Sequence, residues 1–310
     1  MAKLLVINSF GPMASTLLSG LVETLGFTNI PIRKLGLHQY LMGELKLDSN
    51  HMENRLKQII QDHSKSGLSG GISVIDRKNQ KPKALTDYKK VYSQINDINA
   101  NNIQDLYFKC RNIYCDAVIY KEIKTNRDWQ IELTTDIHRY NHKELYQAYR
   151  DNFDEVKMIH LHRPFSGWIN SLASQAFTHP ELKNRIKFFP HMRYADYKLY
   201  EQAVAQMPGM HIEFDELFDT PIEELSNKIA EFLGVPPSTC DLRSAKYDMY
   251  GKIIPYEKAF TPFDDKISFI QHKSLKYMEN VAETGGIAKL PHNLISWLHY
   301  LWSLYSYKRN

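Results

Sequence analysis

The sequence is poor in cysteine and in net charge. Its 310 residues include three cysteines, and Lys and Arg exceed Asp and Glu by four. Cys110, Cys115 and Cys240 lack a metal-ligand spacing, which favours free thiols in a reducing compartment over a disulfide framework. The small net charge argues against a nucleic-acid partner. We therefore expect a cytoplasmic protein that does not bind nucleic acid.

Long apolar runs are also missing. The first run, Leu4–Ile7, is too short for the core of a signal peptide, and no later stretch reaches the length of a membrane-spanning helix. We therefore expect no integral membrane association. An aromatic-rich pattern at 294–305 predicts a helix that docks on the core or packs in a homodimer. Binding to a membrane surface is the alternative, and the small positive charge of the polar face argues against it.

Motifs of the common nucleotide and metal sites are absent. No Gly-Lys-Ser/Thr follows the first predicted strand, which argues against an ATPase or GTPase. His138 and His142 are spaced i, i+4 on a predicted helix, but the Glu of a zinc motif is missing. His160 and His162 alternate on one strand face without a third ligand, so packed or hydrogen-bonded strand residues are expected. We expect no metal site.

The most informative pattern that is present is a strand–loop–helix near residue 160. The apolar-biased run 156–162 is followed by Arg163, and Pro164 stops the strand. Ser166 offers a helix N-cap, and Ser171 follows within the next two turns. Open α/β sheets bind ligands at the carboxyl ends of their strands. A guanidinium and a hydroxyl at that place suit a phosphate. The alternative is an arginine that pairs with a surface carboxylate.

A second strand–loop–helix stands at the amino terminus. Leu4–Ile7 has the wholly apolar character of a buried parallel strand, and the turn-rich segment 8–14 follows. Ser15 and Thr16 open a helix with one apolar face, and Gly26 stands where a C-cap glycine belongs. Backbone N–H groups at such a helix start favour an anion. The alternative is an ordinary turn in which Ser and Thr serve as caps.

The two segments together resemble sulfotransferases that use 3′-phosphoadenosine 5′-phosphosulfate (PAPS). The first signature of that family is a strand followed by a basic-Ser-Gly-Ser/Thr-Thr loop, and Ser15-Thr16 is similar to its end. The second is a strand that ends in Arg, with a Ser eight residues later. Arg163 and Ser171 have this spacing.

A third match strengthens the resemblance. The segment 211–217, followed by 230–236, is similar to the strand, acidic-Leu turn and helix ending in Phe-Leu-Gly that the family commonly shows. The resemblance covers roughly residues 3–26 and 116–236. Each motif is weak alone, and the order and separation of the three make the combination fairly specific.

The resemblance implies a fold as well as an activity. We expect one α/β domain, a three-layer sandwich with a mainly parallel central sheet of the P-loop NTPase-like sulfotransferase type. Leu4–Ile7, Asp116–Lys121 and Val156–His162 would be neighbouring central strands. Residues 35–110, which lie between the signatures, would form an acceptor-binding insertion.

The implied activity is transfer of a sulfonyl group from PAPS to a hydroxyl or amine of a small-molecule acceptor. PAPS is the co-substrate and adenosine 3′,5′-bisphosphate (PAP) the product, and this scheme needs no metal. The cofactor-binding residues implied by the resemblance are Gly11, Pro12, Met13, Ala14, Ser15 and Thr16 around the 5′-phosphosulfate, and Arg163, Ser171 and Lys252 around the 3′-phosphate.

The first loop departs from the family pattern. Pro12 stands where the family has Lys or Arg, and Ala14 stands where it has Gly. Ala14 resists the left-handed backbone that Gly allows. Either Gly11 makes the tight turn in a loop of different shape, or nucleotide binding is weaker.

Because Pro12 replaces the basic residue of the loop, another cation is needed near the transferred group. Lys121, at the end of a predicted strand, is the candidate cation that replaces the missing basic residue; Glu122 follows it where the family often has His. His38 is the first candidate base, because an unperturbed histidine has a pKa near neutrality. Glu44 is the second, since some sulfotransferases use a Glu after the first helix.

A different class of function stays open. The altered loop and the missing His also suit a non-catalytic nucleotide-binding or scaffold protein that has kept the fold. The joint presence of Arg163, Ser171 and Ser15-Thr16 favours the enzyme.

Overall fold

A parallel β-sheet forms the centre of the structure, a computed structural model. The residues that it describes are 3–11, 15–27, 36–45, 48, 51, 54, 74–75, 82–83, 88–95, 102–117, 129–165, 167–168, 190–238, 246–248 and 253–255. The strands among them are β1 (Lys3–Asn8), β2 (Val74–Ile75), β3 (Pro82–Lys83), β4 (Trp129–Thr134), β5 (Glu155–His162), β6 (Met210–Glu213), β7 (Lys246–Asp248) and β8 (Ile253–Pro255).

Helices connect and cover these strands. The described helices are α1 (Ser15–Thr24), α2 (Leu37–Leu41), α3 (Tyr88–Ile95), α4 (Ile103–Ala117), α5 (His142–Asn152), α6 (Pro190–Val204), α7 (Glu216–Asp219) and α8 (Ile222–Leu233). A 3₁₀ turn, Ile137–Arg139, lies between β4 and α5.

The central sheet has the strand order β4-β1-β5-β6, and every described pairing in it is parallel. The remaining four strands form two small antiparallel pairs, β2-β3 and β7-β8. This confirms the predicted α/β class with a mainly parallel sheet. Strand β1 lies between β4 and β5, and its Leu4, Leu5, Val6 and Ile7 are fully buried. A wholly apolar run suits this position because both of its faces are covered.

Two of the three predicted central strands are confirmed, and the third is corrected. Leu4–Ile7 and Val156–His162 lie in β1 and β5, which are direct neighbours. Asp116 and Ala117, however, end helix α4, and the remaining residues of the predicted strand, 118–121, lie outside the described part of the chain. The strand paired with the other side of β1 is β4. Its apolar residues alternate with Gln130, Glu132 and Thr134, a pattern that is typical of a strand with one solvent-exposed face. In the structure, however, all six residues are buried.

The helix predicted for His138 and His142 is also wrong. His138 lies in the 3₁₀ turn, and His142 is the first residue of α5, whose N-cap is Asn141. The Asn141 side chain accepts hydrogen bonds from the backbone N–H groups of Lys143 and Glu144, so the helix begins only at His142. The two histidines therefore do not share a helix face.

Among the described residues, no helix combines the length and apolarity needed to cross a membrane, and no cluster of His, Cys, Asp and Glu has the form of a metal site. Cys110 is a buried free thiol, and burial raises its pKa to about 12. Burial lowers the pKa of His160 to about 4, so its ring is neutral at pH 7.

Gly209 allows the loop before β6 to close on β5. A Cβ atom at Gly209, whose φ is +156°, would lie 2.6 Å from the Met158 carbonyl oxygen and 2.7 Å from His160 Nε2. His160 Nε2 also lies 3.3 Å from the Pro208 carbonyl oxygen. The loop and the strand are therefore in close backbone contact, and only glycine leaves room for it.

We predict that Gly209→Ala lowers the free energy of unfolding by about 2–4 kcal/mol, because the methyl group would overlap backbone that cannot move freely. Urea unfolding measures the effect. Gly43→Ala is the control: Gly43 also has a positive φ, +74°, but a Cβ there meets nothing within 4 Å. The control should lose about 1 kcal/mol from backbone strain alone. Equal losses in the two variants would contradict the close approach.

Candidate functional site

The topology of the sheet marks one place for a ligand. The next strand of this sheet after β1 is β4, on one side, whereas the next after β5 is β6, on the other side. A crevice therefore opens where the chain leaves β1 and β5 in opposite directions, which is where open parallel sheets bind ligands. Asn8 at the end of β1 is in register with His160 and with Thr134, so the three strands end at about the same level.

The loop after β1 forms one wall of this crevice. The Ser9 backbone N–H donates to the Thr134 carbonyl oxygen at 2.9 Å, which continues the ladder beyond the strand end. Gly11 has a φ of +67°, the left-handed conformation that glycine adopts readily in turns. Helix α1 begins at Ser15, a buried residue. Pro12, Met13 and Ala14 lie outside the described residues, and so does the side chain of Thr16.

Phe10 anchors this loop in an aromatic cage. Its ring stacks on Trp168, with ring centroids 4.9 Å apart, and on Tyr200, at 5.8 Å. The rings of His138 and Tyr197 meet it edge-on at 5.2 Å and 6.2 Å. The Trp168 indole N–H donates to the Phe10 carbonyl oxygen. The loop after β1 is thus attached to the segment after β5, to α6 and to the 3₁₀ turn.

Arg163 forms the opposite wall, directly after β5. Its guanidinium carbon lies 3.8 Å from the centre of the Phe214 ring, and its carbonyl oxygen accepts a hydrogen bond from the Tyr197 hydroxyl at 2.9 Å. Burial lowers the pKa of Arg163 to about 10, and the charge of Asp215 opposes that shift. The group therefore stays charged at neutral pH. A positive charge held in a half-buried position beside the crevice suits a phosphate.

Two histidines of β5, His160 and His162, form hydrogen bonds to neighbouring elements. The Asn8 amide donates to His160 Nδ1 at 3.0 Å, while His162 lies 2.9 Å from Glu201 Oε2 and 2.8 Å from His211 Nδ1. The expectation that His160 and His162 are hydrogen-bonded strand residues is confirmed. The hydrogen bond to Glu201 raises the pKa of His162 despite partial burial.

His38 lies on the β4 side of the crevice, between two carboxylates. Its Nε2 is 2.9 Å from Asp136 Oδ1, and its Nδ1 is 3.6 Å from Glu132 Oε1. Burial by itself disfavours the charged ring, but the interactions with Asp136 and Glu132 outweigh it and raise the pKa of His38 to about 9. The ring is therefore an imidazolium at neutral pH. This removes the reason for preferring His38 as a base, namely a pKa near neutrality.

Glu132 lies at the buried end and Asp136 at the partly exposed end of the row that they form with His38. Glu132 is buried, with its oxygens accepting hydrogen bonds from the Tyr107 hydroxyl at 2.7 Å and from the Leu37 backbone N–H at 3.1 Å. Asp136 has 23% of its side chain exposed. Burial alone would raise the pKa of Asp136, but the hydrogen bond and charge of His38 lower it. Asp136 is thus the ionised outer end of a Glu132–His38–Asp136 chain.

Glu44, the other candidate base, lies beyond the end of α2. It is exposed and accepts a hydrogen bond from the Tyr140 hydroxyl at 2.7 Å. The Tyr140 ring meets His38 edge-on, with centroids 5.5 Å apart. Glu44 and His38 are therefore brought to the same side of the site, with Tyr140 between them.

Three further candidates, in addition to Pro12, Met13 and Ala14, lie outside the described residues. They are Lys121, Ser171 and Lys252. Glu132, Asp136 and the contact between Phe10 and Trp168 were not predicted from the sequence. The one signal for Glu132 was an acidic residue inside a strand-like alternation, which usually indicates a solvent-facing position.

Comparisons with known proteins return two solved structures. No protein-family model and no curated protein sequence matches this chain. A sulfotransferase domain from the curacin biosynthetic pathway is 14% identical with a TM-score of 0.46, and the match covers 82% of this chain and 84% of that one. A sulfotransferase domain from the Synechococcus PCC 7002 olefin synthase is 15% identical with a TM-score of 0.45, covering 93% and 95%.

We predict that the His38 ring titrates near pH 9 in an NMR pH series. Asp136→Asn should lower that pKa, because it removes a carboxylate that stabilises the imidazolium. Asp151→Asn, which changes an exposed carboxylate on α5, is the control and should leave the titration unchanged. A His38 that titrates near its ordinary value of about 6.5 would contradict the ion-paired arrangement.

The raised pKa of His38 also determines how the stability of the fold depends on pH. The folded-state pKa lies above the unfolded value, so the charged ring stabilises the fold fully below about pH 6.5. That contribution is lost as the pH rises through 9. His38→Gln should therefore show a smaller decrease in unfolding free energy between these pH values than the unmodified protein.

Proposed function

We propose that this protein is a PAPS-dependent sulfotransferase that modifies a hydroxyl or amine of a small molecule. The acceptor oxygen or nitrogen attacks the sulfur of PAPS. A bond from the acceptor to sulfur forms as the bond from sulfur to the bridging phosphate oxygen breaks. The 5′-phosphate of PAP leaves with that electron pair, and the proton of the acceptor passes to a base of the enzyme.

One observation carries this proposal. The Gly11 turn follows β1 and the charged Arg163 follows the neighbouring strand β5, on the two sides of the crevice. Asp136 and His38 lie on the other side of β1, toward β4. Adjacent strands are about 4.8 Å apart, so the distance from the β5 side to the β4 side is about 10 Å. A nucleotide with its 3′-phosphate at Arg163 and its 5′ end at the loop would direct the sulfonyl group toward Asp136.

The described residues fit such a donor on its 3′ side. Arg163 supplies a fixed charge whose burial strengthens its attraction for an anion, and the Phe214 ring stacks on the guanidinium. On the 5′ side, the loop offers backbone N–H groups and the start of α1. We retain Lys121 as the candidate for the cation that Pro12 does not supply, with Ser171 and Lys252 as further 3′-phosphate ligands.

Asp136 is our candidate for the base, with His38 as the residue that holds it. Both ring nitrogens of His38 face carboxylates, so an acceptor meets Asp136 before it meets the ring. In phosphoryl transfer a carboxylate of ordinary basicity suffices to receive the hydroxyl proton, because bond cleavage at the transferred group runs ahead of attack. The same reasoning applies to sulfonyl transfer. The imidazolium keeps Asp136 ionised and oriented.

The proposal is tested first with the unmodified protein. Thermal unfolding with and without PAP reports nucleotide binding, and transfer of labelled sulfonyl from PAPS to a mixed acceptor pool reports catalysis. Binding together with transfer is the expected result. A shift by PAP without transfer would favour the non-catalytic nucleotide-binding protein, and no shift would contradict the nucleotide site.

We predict that Arg163→Ala weakens PAP binding by about 2–4 kcal/mol, because a buried charge-assisted contact is lost. Isothermal titration calorimetry measures the change. Arg150→Ala, which removes an exposed arginine of α5, is the control for net charge and should bind PAP as the unmodified protein does. Unchanged affinity in a folded Arg163→Ala would show that this arginine does not contact the ligand.

We predict that single-turnover transfer is constant from about pH 6.5 to 8 and decreases as the pH rises through 9, because the loss of the His38 proton releases Asp136. Asp136→Asn should lower the rate about 100-fold or more while it leaves PAP affinity nearly unchanged. Glu44→Gln is the matched carboxylate control and should keep most of the activity.

The opposite results would assign the base elsewhere. A rate that increases through pH 9 would make neutral His38 the base, as its residue type first suggested. A large loss in Glu44→Gln together with a nearly normal Asp136→Asn would make Glu44 the base.

A further inference from the structure

We infer that Trp168 is a positioning residue that fixes the Phe10–Gly11 peptide for the 5′-phosphosulfate, and that Tyr197 does the same for the Arg163 loop. The inference rests on the proposed function and adds two residues that do not touch the substrate. Each donates one side-chain hydrogen bond to a main-chain carbonyl oxygen: Trp168 to Phe10, and Tyr197 to Arg163.

The hydrogen bond from Trp168 sets the direction of a peptide group. In a planar trans peptide the C=O and the N–H point in opposite directions. Because the indole N–H holds the Phe10 carbonyl oxygen, the Gly11 N–H faces away from Trp168. Rotation of this peptide would place a carbonyl oxygen, a partial negative charge, where a donor for the phosphate is needed.

Trp168 is held tightly enough to act in this way. Its ring is 2% exposed and lies between Phe165, with centroids 5.6 Å apart and ring planes at 19°, and Phe10, at 4.9 Å and 26°. A Cβ atom at Gly11 would lie 3.0 Å from Trp168 Nε1. Indole and loop backbone are thus in direct contact, so the indole cannot turn without a shift of the loop.

Tyr197 provides the matching contact on the other wall. Its hydroxyl donates to the Arg163 carbonyl oxygen at 2.9 Å, and its ring meets those of Phe165 and Phe10 at 5.3 Å and 6.2 Å. The two residues therefore belong to one aromatic cluster, yet each bonds to a different loop. This allows their effects to be separated by ligand.

The test is a crossover of two conservative variants and two half-ligands. Trp168→Phe and Tyr197→Phe each keep a ring and remove one hydrogen-bond donor. Adenosine 5′-monophosphate probes the loop after β1, and adenosine 3′-monophosphate probes the loop with Arg163. Calorimetric dissociation constants are compared for proteins that circular dichroism shows to be folded.

We expect Trp168→Phe to weaken the 5′-monophosphate about fivefold, the effect of one neutral hydrogen bond, and to change the 3′-monophosphate less than about twofold. Tyr197→Phe should show the reverse pattern. In the double variant the two factors should multiply for PAP, because each acts on its own loop.

Equal weakening of both half-ligands in each variant would overturn the inference, since a purely structural role lowers both affinities together. Unchanged affinities in both variants would overturn it as well. Failure of the unmodified protein to bind PAP at all would instead contradict the proposed function, so the two failures are distinguishable.

Discussion

The site depends on the pairing of β1 with a parallel strand on each side. Asn8 is in register with Thr134 of β4 and with His160 of β5, so loops that are distant in sequence leave the sheet at one level. The buried Tyr200 hydroxyl reinforces this alignment, because it lies 3.0 Å from the Asn8 carbonyl oxygen and 2.8 Å from that of Leu161. A slip of one residue along β1 would shift the Gly11 turn by about 3.3 Å relative to Arg163.

The alignment also distributes charge across the sheet. The β5 side carries the guanidinium of Arg163, and the β4 side carries Glu132 and Asp136 with the imidazolium of His38 between them. In the proposed function, an anionic donor would be attracted to the first side and repelled by the two carboxylates of the second. This polarity would favour binding of the nucleotide phosphates on the β5 side.

Local patterns were sufficient to predict part of this arrangement. Strands β1 and β5 were predicted because an apolar run followed by a turn residue or proline defines each within a few residues. The helix ending in Phe-Leu-Gly, α8, was expected from the family resemblance, and its C-cap Gly234 has a φ of +68°. The state of His38 was not predictable in the same way. Its pKa is set by Glu132 and Asp136, which tertiary folding alone brings beside it, and Glu132 can be buried only because Tyr107 and the Leu37 N–H satisfy it.

The cage around Phe10 has a consequence for the response of the site to ionic strength. Rings and neutral hydrogen bonds hold the loop after β1, and dissolved ions do not screen such contacts. The contact that Arg163 would make with a phosphate is a charge interaction, and salt weakens it over a Debye length of about 8 Å under physiological conditions. High salt would therefore weaken the hold on an anion without altering the shape of the loop that receives it.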